Sequence, residues 1–211
     1  MLKKSAVILA GGFSRRFGQN KGLLELAGKP LVLHVLDKAL HVVDEAVVVV
    51  SSDAQRRAFA YLLQDKATVV VDKLEKQSPL VGVLTGFDKV RGKHSLLLPC
   101  DTPFISSRIL SLLLDLCINR NAAIPRWPNE YIEPFQAAYH TESALRAAET
   151  ALEEKKLDLQ SMILHMTRVR YISTLVLRQM DPELLTFFNI NTPEDLKRAE
   201  AILKRRNSYT L

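Results

Sequence analysis

The sequence predicts an α/β fold in which helices cover both faces of a mostly parallel β-sheet. Short apolar runs recur through the first 120 residues, and stretches with helical spacing separate them, a pattern typical of a parallel sheet wrapped by helices. The runs are rich in β-branched residues, as expected of strands that are covered on both faces. The chain has 211 residues, which suits one domain over residues 1–211, with a less regular C-terminal half.

The first half of the chain alternates strands and helices. Apolar runs predict four strands, at residues 6–9, 46–50, 68–71 and 95–100. Helical spacing predicts four helices, at residues 30–43, 53–64, 79–91 and 106–118, and a loop at residues 73–78. Gly82 and Gly86 fall inside the third of these helices, where a glycine costs ~1 kcal/mol relative to alanine. We therefore expect close packing or a ligand beside them.

The second half is less regular, but its elements can be placed. We expect short strands at residues 122–124, 169–172 and 187–190, and an extended segment at 131–139 that could pair antiparallel. We expect helices at residues 141–155 and 159–166, and a last helix that starts near residue 193. Asn191 or Thr192 should cap this last helix, because Pro193 and two acidic residues follow in its first turn.

The turn after the first predicted strand is suited to a polyanion. Leu9 and Ala10 end the apolar run, and Gly11-Gly12 lets the backbone turn freely and approach a ligand closely. The cations that follow are Arg15, Arg16 and Lys21. Exposed backbone N–H groups together with three cations suit a triphosphate. Two glycines alone would be as well explained by a tight turn between a strand and a helix.

Three further polar residues come after predicted strands: Ser51, Asp72 and Asp101. Right-handed crossovers place the carboxyl ends of parallel strands at one edge of the sheet, where such folds bind ligands. We therefore expect these residues to share a pocket with the glycine turn. Asp101 alone could be a turn-capping residue. In a phosphate pocket its carboxylate would suit Mg²⁺, which takes carboxylate and substrate phosphate oxygens.

Composition argues against several other classes of function. The net charge is +6, but the basic residues are dispersed, so we expect no nucleic-acid partner. The two cysteines form neither a disulfide framework nor a metal-binding pattern. No apolar stretch reaches the ~18 residues that cross a bilayer, so we expect a cytoplasmic protein without a membrane partner. The glycine turn has neither the Gly-Lys-Ser/Thr of a P-loop nor a Gly-x-Gly-x-x-Gly motif.

Three segments carry a resemblance to a known family. Residues 9–21 contain Leu-Ala-Gly-Gly-x-Ser-x-Arg-x-Gly-x-x-Lys, residues 99–104 read Pro-Cys-Asp-Thr-Pro-Phe, and residues 189–195 read Asn-Ile-Asn-Thr-Pro-Glu-Asp. They resemble the opening motif, the metal-binding motif and the C-terminal motif of the molybdenum cofactor guanylyltransferases. Weaker similarities lie at residues 78–82 and 133–137. The resemblance runs from about residue 5 to about residue 200.

This resemblance implies a fold, a reaction and a set of residues. The fold would be the three-layer, Rossmann-like sheet of the nucleotide-diphospho-sugar transferases. The reaction would be Mg²⁺-dependent transfer of GMP from GTP to molybdopterin, with other proteins that make or accept the cofactor as possible partners. Arg16, Lys21 and Asp101 would be catalytic, with Asp101 as the Mg²⁺ ligand. Substrate contacts would come from Leu9, Ala10, Gly11, Gly12, Lys21, Ser51, Asp72, Asp101, Asn189 and Asn191.

Three alternatives stay open. Ser51 stands where the family often has an asparagine near the nucleotide, so cytidylyl transfer to molybdopterin remains a candidate. A nucleotidyltransferase acting on sugar phosphates is another, although its opening motif usually reads Ala-Ala-Gly-x-Gly-Thr-Arg, unlike residues 10–16. The third is a non-catalytic nucleotide-binding module. The presence of both Lys21 and Asp101 argues against it, because a protein that only binds nucleotides could lose either.

Overall fold

A computed structural model gives the structure of the chain and describes residues 3–72 and 78–208. Within these ranges the strands are β1 Lys4–Leu9, β2 Phe13–Ser14, β3 Gln19–Asn20, β4 Glu25–Leu26, β5 Lys29–Pro30, β6 Glu45–Val50, β7 Thr68–Val71, β8 His94–Pro99, β9 Ala122–Arg126, β10 Ala137–His140 and β11 Val169–Ser173. The α-helices are α1 Leu31–Leu40, α2 Asp53–Leu63, α3 Pro79–Lys89, α4 Ser107–Cys117, α5 Thr141–Glu153, α6 Leu159–Leu164, α7 Thr174–Leu177 and α8 Pro193–Ser208. Most of the predicted loop at residues 73–78 lies outside the described residues.

Seven of the described strands form one mixed sheet, in the order β11-β9-β10-β8-β1-β6-β7. Strand β1 lies near the centre and pairs in parallel with β6 and β8, so that Val7 lies opposite Val47 and Leu97. Strand β10 runs antiparallel to both of its neighbours, β8 and β9. The other pairs, β6 with β7 and β9 with β11, are parallel. The prediction of a mostly parallel sheet is confirmed. The antiparallel pairing predicted for residues 131–139 is confirmed for the end of that segment, where β10 begins at Ala137.

Alternate residues of the central strands face opposite helical layers. In β1, Ala6 and Ile8 belong to the core cluster that includes residues of α1 and α4, whereas Val7 belongs to the cluster that includes residues of α3, α5 and α6. A Cβ atom on Gly86 of α3 would lie 2.2 Å from Val7 Cγ1. Close packing of α3 on β1 therefore explains this helical glycine.

A third core cluster attaches the C-terminal helix to the segment that follows the glycine turn. Leu24, Leu26 and Leu31 pack there with Ile190 and with residues of α8. The start of α8 is fixed by Thr192, whose hydroxyl accepts a hydrogen bond from Asp195 N at 3.1 Å, so the predicted cap is confirmed. This packing places residues 189–192 close to the N-terminal motif.

The structure corrects the sequence prediction at three places. Residues 187–190 are not a strand, because a 3₁₀ turn at Leu185–Phe187 leads into an extended chain without strand pairing. Phe187 and Ile190 are buried in side-chain clusters instead, and a short apolar run cannot distinguish the two cases. Helix α7 was not anticipated, and α1 ends at Leu40 rather than at residue 43. No helix within residues 3–72 and 78–208 has the length and apolarity needed to cross a membrane.

Candidate active site

A cavity of about 410 Å³ lies at the edge of the sheet where β1, β6, β7 and β8 end. Its lining includes seven of the residues that the sequence predicted: Leu9, Gly11, Gly12, Lys21, Ser51, Asp72 and Asp101. The ends of parallel strands converge at one edge, as the topology requires. The predicted shared pocket is therefore present.

The two glycines of the turn have different surroundings. A Cβ atom on Gly11 would lie 2.1 Å from Ser51 Oγ, and the Ser51 hydroxyl donates a hydrogen bond to Gly11 O at 3.0 Å. A Cβ atom on Gly12 would meet no described atom within 4 Å. Gly11 therefore permits close packing against the loop after β6, whereas Gly12 leaves room for a ligand beside the backbone.

Asn20 holds the turn in shape, and the sequence reasoning missed it. Its buried amide donates from Nδ2 to Ala10 O and accepts at Oδ1 from Gly22 N, each at 2.8 Å. Lys21 N adds a hydrogen bond to Gly12 O at 3.2 Å. An asparagine is a favoured residue immediately before a helical turn, and it precedes the 3₁₀ turn Lys21–Leu23. That local signal could have identified it.

Lys21 joins the N-terminal motif to two distant residues. Its Nζ lies 2.9 Å from Asp101 Oδ2 and 2.5 Å from Asn191 Oδ1. The Lys21 and Asp101 side chains are only 24% and 12% exposed. Ile190 N donates to Asp101 O at 3.0 Å, which fixes the position of Asn191. The three motifs of the sequence thus meet at one ammonium group.

Four predicted residues lie outside the cavity lining: Asn191, which contacts Lys21, and Ala10, Arg16 and Asn189. Ala10 is fully buried beneath the turn. Arg16 is exposed on the turn between β2 and β3, and its Nη1 donates to Asn191 O at 3.4 Å. Asn189 is half-buried and donates from Nδ2 to Phe187 O at 3.1 Å. Arg16 is close to the rim of the site, whereas Asn189 and Ala10 support its backbone.

Asp72 directly follows β7 and carries a half-buried carboxylate. Its Oδ1 is buried and has no hydrogen-bond partner among the described residues. Burial raises the pKa of Asp72 from its usual 3.8 to about 6. Gly82 of α3 lies beside this group, and a Cβ atom there would lie at an ordinary contact distance of 3.5 Å from Asp72 Oδ1 but closer, at 3.2 Å, to Leu9 Cδ2. A buried acceptor without a partner is costly, so turning this carboxylate, which lines the cavity, toward donors of a ligand would be favourable.

The oxygen atoms around Lys21 fit Mg²⁺ with a phosphate ligand. Asp101 offers a carboxylate and Asn191 an amide oxygen, both hard ligands. Within the described part of the chain, no group of three or more His, Cys, Asp or Glu residues could form a complete metal site. A cation here would take its remaining ligands from substrate phosphates and water, as Mg²⁺ usually does.

Comparison with known proteins identifies the family. The sequence model of the MobA-like NTP transferase domain matches residues 6–169. The chain belongs to this family. It is therefore a nucleotidyltransferase, and the resemblance seen in the motifs is confirmed. Probable molybdenum cofactor guanylyltransferases of Methanosarcina mazei and Pyrococcus horikoshii are each 34% identical to it. They cover 92% of this chain, and the chain covers 88% and 98% of them.

Solved structures support the same grouping. The crystal structure of molybdopterin-guanine dinucleotide biosynthesis protein A from Archaeoglobus fulgidus superposes with a TM-score of 0.81. The identity is 28%, and the match covers 95% of this chain and 99% of that one. A structure of CMP:2-keto-3-deoxy-manno-octonic acid synthetase has a TM-score of 0.72 at 18% identity, covering 97% and 99% of the two chains, and shares the fold. The predicted nucleotide-diphospho-sugar transferase-like architecture is thus confirmed.

Proposed function

We propose that this protein transfers GMP from GTP to molybdopterin, forming molybdopterin guanine dinucleotide and pyrophosphate. The observation that carries the proposal is the contact of Lys21 Nζ with both Asp101 and Asn191 beside the glycine turn. The names of the relatives, molybdenum cofactor guanylyltransferase, support the acceptor and the nucleotide. The assignment of residues 1–211 to one domain and the cytoplasmic location stay predictions.

The glycine turn and Lys21 would bind the triphosphate. Gly12 leaves the backbone accessible, and Asn20 holds the turn so that its shape need not form on binding. Lys21 would place its charge on the phosphates, with Arg16 approaching from the rim. Mg²⁺ held by Asp101 and the phosphates would neutralise negative charge near the phosphorus under attack.

The chemistry needs no protein nucleophile. An oxygen of the acceptor's terminal phosphate would attack the α-phosphorus of GTP in line with the leaving group. The bond from that phosphorus to its bridging oxygen breaks, and pyrophosphate leaves with the electron pair. Lys21 would neutralise charge that develops on the phosphates, and Asn191 would hold Lys21 and orient the acceptor. Positioning and electrostatic stabilisation supply most of the rate in phosphoryl transfer.

Asp72 supports guanine as the base. Guanine presents its N1–H and 2-amino donors side by side, and an ionised carboxylate accepts hydrogen bonds at both oxygens. Cytosine presents a single amino donor beside an acceptor nitrogen, which is a poorer match to a carboxylate. The Ser51 hydroxyl already donates to Gly11 O, so Asp72 is the better candidate to read the base.

A nucleotide panel tests the proposal. The purified protein is incubated with molybdopterin, Mg²⁺ and each of GTP, CTP, ATP and UTP, and the dinucleotide and pyrophosphate are measured. We expect turnover with GTP. Preference for CTP would indicate the cytidylyltransferase, and turnover only when a sugar phosphate replaces molybdopterin would indicate the sugar-phosphate enzyme. Nucleotide binding without any turnover would indicate a binding module, and it would be visible because ligand at 100 times its Kd adds about 2.7 kcal/mol of stability.

Asp101→Asn is the matched variant for this panel. It keeps the side-chain shape and the contact with Lys21 but removes the negative charge that a hard cation prefers. We expect turnover to fall by at least about 10³-fold with the melting temperature nearly unchanged. Turnover near that of the unmodified protein would reject the role proposed for Asp101.

A further inference from the structure

A second cavity, of about 570 Å³, lies beside the last helix. We call it the arginine pocket. Its walls include the aromatic residues Trp127, Phe187 and Phe188, and its charged residues are Arg178, Arg198, Arg205 and Glu183. Arg178 and Arg198 place two positive charges on its wall beside the one carboxylate of Glu183, which favours an anionic ligand. Nothing in the nucleotide chemistry above uses it.

Two chain segments connect the arginine pocket with the candidate active site. One runs from Trp127, in the arginine pocket, to Phe135, which lines the nucleotide cavity. The other runs from Phe187 and Phe188 to Asn191, which contacts Lys21. Trp127 immediately follows β9, which lies two strands away from β8 in the sheet. Asp72 follows β7, the edge strand on the other side of β8. The two cavities are therefore neighbours, with the base-reading end of the site on the far side.

The ring geometry of the arginine pocket suits a flat ligand. Trp127 and Phe187 meet edge to face with centroids 5.7 Å apart, and the Arg198 guanidinium lies 5.5 Å from the centre of the Phe188 ring. The Trp127 indole donates to Glu133 Oε1 at 2.6 Å, which fixes the indole plane. Aromatic rings and guanidinium planes stack on planar heterocycles, and guanidinium groups also pair with anions.

We propose that the arginine pocket binds the pterin end of the acceptor, a fused heterocycle whose adjoining ring carries an anionic dithiolene. The phosphate end of the same molecule then lies toward Lys21 and Asp101, opposite the nucleotide base. This inference rests on the proposed function, because that function supplies an acceptor with an aromatic end and a phosphate end. It adds a location and a set of binding residues for the acceptor that are separate from the nucleotide cavity.

Trp127 is the chain's single tryptophan, so it reports directly on the arginine pocket. Pterins absorb where tryptophan emits, so a pterin bound near the indole quenches its fluorescence by energy transfer. Loss of this quenching when Arg178 and Arg198 are both replaced by glutamine assigns the bound pterin to the arginine pocket. The probes are metal-free molybdopterin and pterin-6-carboxylic acid. We expect saturable quenching by both in the unmodified protein. The Trp127→Phe variant has no tryptophan emission and gives the background.

A double variant tests the two arginines independently of fluorescence. We expect Arg178→Gln with Arg198→Gln to raise KM for molybdopterin about 10- to 100-fold and to change KM for GTP by less than about twofold. Arg146→Gln is the matched control, because Arg146 is exposed on α5 against the other face of the sheet and pairs with Glu142. Its KM values should stay near those of the unmodified protein.

The outcomes separate this inference from the proposed function. Turnover with GTP, but without quenching and with an unchanged acceptor KM in the double variant, overturns the arginine pocket and leaves the proposed function intact. An absence of turnover in the unmodified protein overturns the proposed function, and quenching by pterin-6-carboxylic acid then still decides whether the pocket binds pterins. A double variant that loses affinity for GTP as well as for molybdopterin has lost its fold. In that case the presence or absence of quenching in the unmodified protein decides whether the arginine pocket binds pterins.

Discussion

Replacing Asp72 with asparagine should weaken GTP binding and stabilise the free protein. The two effects have opposite signs because the same buried carboxylate is involved in both. In the free protein Asp72 Oδ1 has no hydrogen-bond partner among the described residues. With GTP bound, this carboxylate would accept two donors from guanine. The asparagine side chain accepts hydrogen bonds only at its oxygen. Its N–H₂ group would face one of the two donor groups of guanine and could not accept from it.

The loss of affinity should be 10- to 100-fold at neutral pH, because a hydrogen bond to a charged group contributes about 1.5–3 kcal/mol. Protonation should have a similar effect on the unmodified protein. With a pKa of about 6, Asp72 is mostly ionised at pH 7 and mostly protonated at pH 5. GTP affinity should therefore fall about tenfold between these values. Asp72→Asn lacks this titrating group but binds the same nucleotide. Dividing the GTP affinity of the unmodified protein by that of the variant at each pH therefore cancels the effect of protonating the GTP phosphates.

The change in stability follows from the direction of the same pKa shift. The pKa is raised from 3.8 to about 6 in the folded protein, so the ionised form destabilises the fold at pH 7. This destabilisation is relieved as the pH falls from 6 toward 3.8. A shift of about two units corresponds to ~3 kcal/mol. Solvent screening of this half-buried group reduces it to ~1 kcal/mol, and Asp72→Asn should raise Tm by about 2–4 °C.

Calorimetric titration with GTP between pH 5 and pH 8, together with thermal unfolding, measures both effects. Inosine triphosphate, which lacks the 2-amino group, is the nucleotide control. It should bind the unmodified protein about tenfold more weakly than GTP, and this difference should shrink in the variant. If Asp72→Asn binds GTP as tightly as the unmodified protein across this range, Asp72 does not read the base.

Other substitutions probe the remaining parts of the site and its support. Lys21→Ala should lower kcat/KM for GTP by about 10²–10³-fold, and steady-state kinetics would contradict its role if the loss were below about threefold. Asn20→Ala leaves two buried backbone groups unpaired, so it should destabilise the protein by about 2–4 kcal/mol; denaturant unfolding measures this, and an unchanged midpoint refutes it. Gly86→Ala should destabilise by about 1–3 kcal/mol through overlap with Val7, and it should cost less in a Val7→Ala background, where of its closest contacts only the 3.2 Å approach to Val49 Cγ2 remains. If the stability changes of Gly86→Ala and Val7→Ala simply add in the double variant, the backbone or another side chain relieves the overlap and Val7 does not cause the cost.

Local patterns in the sequence predicted most strands of the sheet and about half of the residues that line the nucleotide cavity. The apolar runs at 46–50 and 95–100 and the glycine turn each depend on residues that are close in the chain. The rule that parallel strands end at one edge then placed Ser51, Asp72 and Asp101 together without any knowledge of side-chain contacts. The error at residues 187–190 has the same origin, because that apolar run is buried by side-chain packing rather than by strand pairing.

Long-range packing decided the rest. Asn191 reaches Lys21 only because α8 packs on the segment around Leu24 and Leu26, and no periodicity in either segment encodes that contact. The same holds for the arginine pocket, where Trp127 and Arg198 lie 71 positions apart in the chain and line one cavity. The sequence by itself determined which chemical groups stand at the ends of the strands. The motifs named Asn191 as a site residue, but only the tertiary structure decided that it contacts Lys21 and that Asn20 supports the turn, because such contacts depend on how whole helices and loops fill space together.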